Sequence, residues 1–188
     1  MRKMNKEIFD HDVIRNLLVT SHTGRLGTVG GDGHPMIKPL NFAFHNGHIY
    51  FHCAPIGEKL DDIMRDNRVC FEVDLPIAYV RGGLKNPCAA EYLYRSVIAL
   101  GRAHIVANHS ERLMALDCLM RKYQPDGGYG PYMAEKLALT CIVRIDIEKL
   151  TGKEDLGKGD TKVKVLRALE EESPLPIIIA EKGIKEEE

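Results

Sequence analysis

The feature that most constrains the fold is Asn46-Gly47, set between one strand pattern over 35–44 and another over 49–53. Both residues tolerate positive φ, so the pair closes a type I′ hairpin and fixes which residues face each other across it. An apolar strand at 26–29 lies upstream, joined to the hairpin by the turn Gly30-Gly31-Asp32-Gly33. On the long strand Met36, Lys38, Leu40, Phe42 and Phe44 share one face, and Ile37, Pro39, Asn41 and Ala43 share the other. Pro35 and Pro39 cannot donate to a ladder, which predicts a sheet edge or a bulge there and leaves backbone groups for a ligand. Past Cys53, the turn Ala54-Pro55-Ile56-Gly57 leads into a helix starting near Glu58, with Leu60, Ile63 and Met64 on one face and Lys59 off it. A strand, a glycine turn, a helix start and a lysine together make a candidate phosphate site. The first-turn N–H groups and the helix dipole attract an anion there.

The rest of the chain predicts a mainly β domain. Residues 7–19 carry a helical stripe of Ile8, Val13, Ile14, Leu17 and Leu18. A strand follows at 69–73, then an irregular loop over 75–90. Residues 92–107 read as a long strand or a bent pair, with Val97, Ala99, Gly101, Ala103 and Ile105 on one face and Gly101 marking a bulge or corner. Ser110 reads as the cap of a helix reaching Tyr123, with Leu113, Leu116, Met120 and Tyr123 on its apolar face. A short helix near 132–137 leads to a last strand over 140–147, with Cys141, Val143, Ile145 and Ile147 inward. Roughly six strands, short helices and Gly/Pro turns predict a small six-stranded β-barrel with peripheral helices. The domain spans 1–155, and 156–188 form a charged extension. Within it, 162–172 read as a helix carrying Val163, Leu166 and Leu169, 177–179 are an apolar run, and the closing Ile-Lys-Glu-Glu-Glu frays into solvent. This extension packs on the domain, crosses to a partner, or stays mobile.

Bulk properties exclude several classes. With 188 residues the chain has room for a sizeable core, and its formal net charge of −1 argues against nucleic-acid binding and against steering to an anionic membrane. No apolar run is long enough for a membrane span, and the N-terminus has no apolar signal-peptide region, so the cytoplasm is the expected location. Five scattered cysteines, Cys53, Cys70, Cys88, Cys118 and Cys141, form no CxxC pair and read as reduced thiols. His34, His45, His48 and His52 crowd the hairpin region. His48 and His52 stand ~13 Å apart on one strand face, too far to ligate one ion, so no metal site is expected.

The ordered segments GRLGTVGGDGHPMIKPLNFAF, GHIYFHCAPIGEKLDDIMRDNRVCFEV, YRSVIALGRAHIV and LTGKE resemble the pyridoxamine 5′-phosphate oxidase-like FMN-binding split barrels. The nearest likeness is to their nitroimidazole-resistance branch, over roughly residues 7–155. That resemblance implies a split-barrel homodimer with FMN at the subunit interface. Pro39, Leu40, Asn41 and Phe42 would run beside the flavin ring, His52, Cys53 and Ala54 would lie near it, and Gly57, Lys59 and Leu60 would surround the phosphate. Ser96, Val97 and Ile98 would approach from the other subunit, with Tyr92 and Tyr94 nearby. The branch often carries serine where Cys53 stands, a conservative departure.

Each assignment has a plainer counterpart: Lys59 as a solvated helix lysine, Asn41 and Ser96 as ordinary strand residues, His52 as a histidine satisfied by backbone. His52 is the sharpest candidate for a catalytic role, as a proton donor or an anchor for an anionic substrate. The resemblance implies an FMN-dependent oxidoreductase that takes electrons from a transiently docked reduced nicotinamide and passes them to a nitroaromatic or other electron-poor small molecule. A flavin-binding or sensing protein without turnover is the second reading. Pyridoxamine 5′-phosphate oxidation is the third, since Arg81, Lys85 and Arg95 are not paired by spacing into a second phosphate pocket.

Overall fold

The computed structural model describes residues 4–83 and 86–180. Lys85 and the terminal Ile-Lys-Glu-Glu-Glu lie outside the described residues. Among those described, nine strands and five α-helices occur: β1 (Glu7–Ile8), α1 (His11–Thr20), β2 (Gly24–Val29), β3 (Pro35–Leu40), β4 (Ala43–His45), β5 (His48–Cys53), α2 (Glu58–Arg65), β6 (Arg68–Val80), β7 (Glu91–Ile105), α3 (His109–Tyr123), α4 (Ala134–Ala138), β8 (Cys141–Asp155), α5 (Gly159–Glu170) and β9 (Ile177–Ile179). The fold is mainly antiparallel β with short helices, as the sequence predicts, but with more than six strands. Their order is β3-β2-β6-β7-β8-β5-β4, so the sheet has two ends rather than closing; β1 joins β8, and β9 joins β6 as a parallel strand. The chain divides into two compact units. The larger comprises Asp12–Val73 and Val97–Thr151, and the smaller Met1–His11, Asp74–Ser96 and Gly152–Glu188.

In the larger unit the predicted turns hold. Asn46 has φ 49° and Gly47 φ 81°, both positive as a type I′ hairpin requires, and His45 pairs with His48. The long strand is broken after Leu40, so β3 and β4 are separate, and β3 with its two prolines is an edge strand. Gly101 allows a close backbone approach, since a Cβ there would collide with the Asp146 carbonyl. Val97, Ala99 and Ala103 are buried beside it, whereas Ile105 turns out to solvent. The core contains Leu26, Phe42, Phe51, Phe71 and Ile145, with the Phe42 and Phe71 rings edge to face at 4.9 Å.

Helix α3 buries Ala115, Cys118 and Leu119, while the expected stripe of Leu113, Leu116, Met120 and Tyr123 is only half-buried. Its cap is Asn108, whose side chain accepts from the Glu111 N–H at 2.9 Å; Ser110 lies inside the helix. Helix α1 starts at His11, because Glu7–Ile8 are drawn into β1.

The smaller unit is where the sequence reading changes most. Residues 75–80 are strand, not loop: β6 runs through Pro76 to Val80, and Ala78, Tyr79 and Val80 pair with Ile177, Ile178 and Ile179. Strand β8 likewise continues past 147 to Asp155. The C-terminal segment is integral to this unit's core, in which Leu156, Val165 and Ile179 pack with Ile77, Ala78 and Leu93. On α5 the buried positions are Val165 and Ala168, whereas Val163 is 66% exposed. Leu166 and Leu169 pack against the core as predicted, so of the predicted stripe only Val163 is out of place, its role taken by Val165.

Val165→Ala should cost about 1–3 kcal/mol through lost burial and the cavity left behind. Val163→Ala should stay within about 0.5 kcal/mol. Urea denaturation followed by circular dichroism measures both, and equal effects would remove Val165 from the core.

Candidate functional site

The candidate site is built on α2 and the turn before it. Gly57 precedes the helix with φ 141°, a conformation that disfavours a side chain, and nothing lies within 4 Å of where a Cβ would sit. Its carbonyl accepts from the Leu60 N–H at 2.9 Å and the Asp61 N–H at 3.2 Å, which closes the first turn. The Glu58 and Lys59 N–H groups are left as first-turn donors. Lys59 is half-buried, its Nζ 5.3 Å from the centre of the Phe51 ring. The sequence placed it off the apolar face; here its ammonium lies near an aromatic ring of β5, one helix turn or less from the α2 start.

Helix α2 is eight residues long, too short to be stable alone, and a buried carboxylate fixes its position. Asp62 is 1% exposed. Thr28 Oγ1 donates to its Oδ2 at 2.8 Å and Lys38 Nζ at 3.0 Å, while Arg65 Nη2 donates to Oδ1 at 2.7 Å. Arg65 Nη2 also reaches the Val29 carbonyl at 2.6 Å. These bonds tie α2 to β2 and β3. Burial alone would raise the Asp62 pKa, but hydrogen bonds from Arg65, Lys38 and Thr28 override it and hold the carboxyl at about 2. Met64, predicted on the apolar face, is instead 66% exposed, and Asp62 takes the inward position.

His52 lies on β5 opposite Ile142, with its side chain exposed as expected, while Phe51 beside it is fully buried. Partial burial, then the Lys59 cation, lower the His52 pKa below its ordinary value. A neutral imidazole therefore stands near a lysine. Cys53 pairs with Cys141 at the end of the ladder, and burial first, then Cys141, push its thiol up to about 11. A thiol so protonated is a poor nucleophile.

The remaining predicted residues divide by burial. Pro39, Asn41, Ala54 and Ile98 are exposed, and Leu40 and Ser96 are half-buried. Phe42, Leu60 and Val97 are core side chains, at 0%, 3% and 1% exposure, so they can hold neighbours in place but present no side chain to a ligand. Phe42 is also occupied through its backbone: its N–H donates to Tyr123 Oη at 3.0 Å. Tyr94 stacks on Tyr92 with ring centres 5.6 Å apart, and Tyr79 lies 5.3 Å from Tyr92, forming an aromatic row in the smaller unit. The sequence reading missed Asp62 and Thr28. The signal was Lys38 itself, a lysine on the face shared with Met36 and Leu40, which calls for a buried acid.

An open groove of ≈ 640 Å³ runs along β2, β3, β6 and β7 in the larger unit, and Val29, Pro35, Met36, Ile37, Val69 and Leu100 supply apolar walls. Ile37 is 69% exposed. No helix among the described residues is long and apolar enough to cross a membrane.

Residues 10–154 match the profile of the protein family described as pyridoxamine 5′-phosphate oxidase. No curated protein matches the sequence. Among solved structures, a Bacteroides thetaiotaomicron protein provisionally assigned to 5-nitroimidazole antibiotic resistance aligns with a TM-score of 0.69 at 23% identity, over 79% of this chain and 86% of that one. The flavocytochrome Anf3 of Azotobacter vinelandii aligns with a TM-score of 0.73 at 18% identity, over 87% and 77%. A Mycobacterium smegmatis protein that binds FAD and heme gives 0.71 at 18%, over 85% and 79%. At these identities the structural likeness establishes the fold.

Asp62→Asn should destabilise the protein by about 3–5 kcal/mol at pH 7, because it breaks a buried ion pair. The Asp62 pKa is depressed in the folded state, so its stabilisation is complete above about pH 4, the ordinary carboxyl range, and drains away as pH falls toward 2. Thermal midpoints measured from pH 7 to pH 2 should fall more steeply below pH 4 for the wild type than for Asp62→Asn. Parallel curves would show that the carboxylate contributes nothing.

Proposed function

This chain belongs to the pyridoxamine 5′-phosphate oxidase family, matched over residues 10–154, and from that premise we propose that it is an FMN-binding oxidoreductase working as a homodimer. The observation that carries the reading is the α2 start, where Gly57, the first-turn N–H groups and Lys59 offer backbone donors and a cation beside an exposed, neutral His52. The donor set fits a phosphate monoester. Glu58, the acid nearest that end, is drawn toward Lys38 at 3.4 Å. Proteins of this fold that bind FAD and heme support a flavin in general, and the phosphate-sized donor set favours FMN over FAD.

In this reading Gly57 and Lys59 hold the phosphate, and the exposed edge at Pro39, Leu40 and Asn41 borders the ring, with its proline-interrupted ladder offering backbone groups. Cys53 and Ala54 line the turn between the two. Phe42, Leu60 and Val97 keep these segments in place from the core. Ser96 and Ile98 of a second copy would complete the pocket. The apolar groove along β2, β3, β6 and β7 supports self-association, since exposed apolar walls such as Ile37 and Leu100 gain by being covered.

A bound flavin supplies the electron chemistry, from a reduced nicotinamide to an electron-poor acceptor such as a nitroaromatic. The chain's own part is orientation and hydrogen bonding. With its pKa lowered, His52 acts at neutral pH as a neutral imidazole donating its N–H to an acceptor oxygen.

The protein as purified should be yellow, release FMN on denaturation, and scatter light at twice the chain mass. A colourless protein that takes up neither FMN nor FAD overturns the reading, and FAD in the extract corrects the cofactor. Lys59→Ala should weaken FMN binding roughly 10- to 150-fold, the value of one charge-assisted contact, without loss of fold. An unchanged affinity would move the phosphate elsewhere. His52→Ala should keep flavin and dimer, leave flavin reduction unaltered in stopped flow, and slow reoxidation by a nitroaromatic acceptor ~10²–10³-fold. If the wild type shows neither half-reaction across a panel of donors and acceptors, the protein is a flavin binder without turnover.

A further inference from the structure

A second cavity in the larger unit, of ≈ 510 Å³, opens between α1, β4 and α3. Its polar rim consists of His22, His45, Arg121 and Lys122, with Thr20 and Cys118, and its apolar walls are Val19, Ala43 and Phe44. No aspartate or glutamate lines it. The acid that acts on Arg121 is Asp117, one turn back on α3, and it accepts from the Tyr132 hydroxyl at 2.8 Å.

Two of the cations are poorly matched by the protein itself. Arg121 is exposed, and its Nη2 points at the Cys118 sulfur at 3.2 Å rather than at a carboxylate. Lys122 is half-buried, and among the described residues its one hydrogen-bond acceptor is the Leu18 carbonyl at 3.3 Å. Its ammonium lies 3.7 Å from the centre of the Phe42 ring and 5.6 Å from that of Tyr123. An aromatic face relieves a buried cation in part but brings no negative charge. Burial accordingly lowers its pKa to about 8. A salt bridge holding Lys122 within the fold would raise that value instead.

We propose that this cavity is a second binding site, for a small organic anion with one carboxylate and an apolar or aromatic body. Arg121 supplies a planar donor fork, which matches a carboxylate. Lys122, half-buried among the lining residues, supplies the second charge, and Val19, Ala43 and Phe44 cover the body. The size falls within the range of small-molecule sites. The apolar half of the lining favours an organic anion over inorganic phosphate. The inference is independent of the flavin reading, because none of its lining residues belongs to the α2 start.

Benzoate is the probe, with benzamide as its uncharged counterpart, titrated into the full-length protein as purified and followed by amide NMR shifts. Saturable shifts should appear at Phe44, His45, Arg121 and Lys122, with an affinity at least ten times that for benzamide. Arg121→Ala should weaken benzoate roughly 10-fold or more. Lys122→Met should do the same, and Arg121→Ala alone decides the matter if the Lys122 variant fails to fold. Calorimetry at pH 8 in buffers of different ionisation enthalpy should show proton uptake on binding, as Lys122 regains its charge beside the anion. His22, His45 and Cys118 also line this cavity and Tyr123 lies beside Lys122, so the uptake must vanish in Lys122→Met to be assigned to Lys122. Absence of saturable binding, equal binding of benzamide, or unchanged benzoate affinity in Arg121→Ala would each overturn the proposal. Inorganic phosphate binding as tightly as benzoate would overturn the organic-anion assignment.

Discussion

The arrangement of the candidate site depends on one buried carboxylate. Asp62 collects hydrogen bonds from Thr28, Lys38 and Arg65, and through them a helix of eight residues is tied to two strands. So short a helix has little stability of its own, and its apolar contribution is chiefly Leu60 and Ile63. The hydrogen bonds add direction to that burial. An apolar contact leaves a helix free to rotate or slide by a fraction of a turn. Three donors converging on two carboxylate oxygens do not. The orientation of the Gly57 turn and of Lys59 follows from that constraint, so the candidate site's geometry is set by a residue that is itself buried.

Much of this was legible in the sequence where the signal is local. Asn46-Gly47 specified its turn because few residues accept positive φ, and Pro35 and Pro39 specified an edge because neither can donate. What escaped was non-local. The turn residues Arg81-Gly82-Gly83 and Asn86-Pro87 made the whole of 75–90 look like loop, and part of what makes 78–80 strand is the pairing with Ile177–Ile179 from a distant stretch of chain. On α5, Leu166 and Leu169 face the core as expected, but Val163 was chosen over Val165 because the two are chemically identical and only tertiary packing tells them apart. Ser110 lost the cap to Asn108, since both residue types compete for the same N–H groups.

The site shows the same division. Exposed Asn41 and His52 and the Gly57–Lys59 turn stand where a reading of faces put them. Phe42, Leu60 and Val97 adjoin exposed or half-buried positions in sequence, yet their own side chains face the core, Leu60 on the inward face of α2. Segment resemblance marks a stretch of chain and does not distinguish its two faces; burial does. Asp62 was hidden for the opposite reason: an acidic residue on a helix rich in charge reads as solvated until its three donors, two of them on other elements, come into view.

The parallel pairing of β9 with β6 bears on the order in which the protein can be completed during synthesis. The larger unit is drawn from residues up to Thr151, whereas the smaller draws on three separate stretches of chain, the last of which supplies Leu156, Val165 and Ile179 to its core. While those residues are still within the ribosome, Ile77, Ala78 and Leu93 are already outside it and lack their cover. The edge of β6 at Ala78–Val80 lacks its partner for the same interval. A nascent chain of this protein therefore passes through a stage in which the smaller unit presents bare apolar strand, the kind of surface that general chaperones hold.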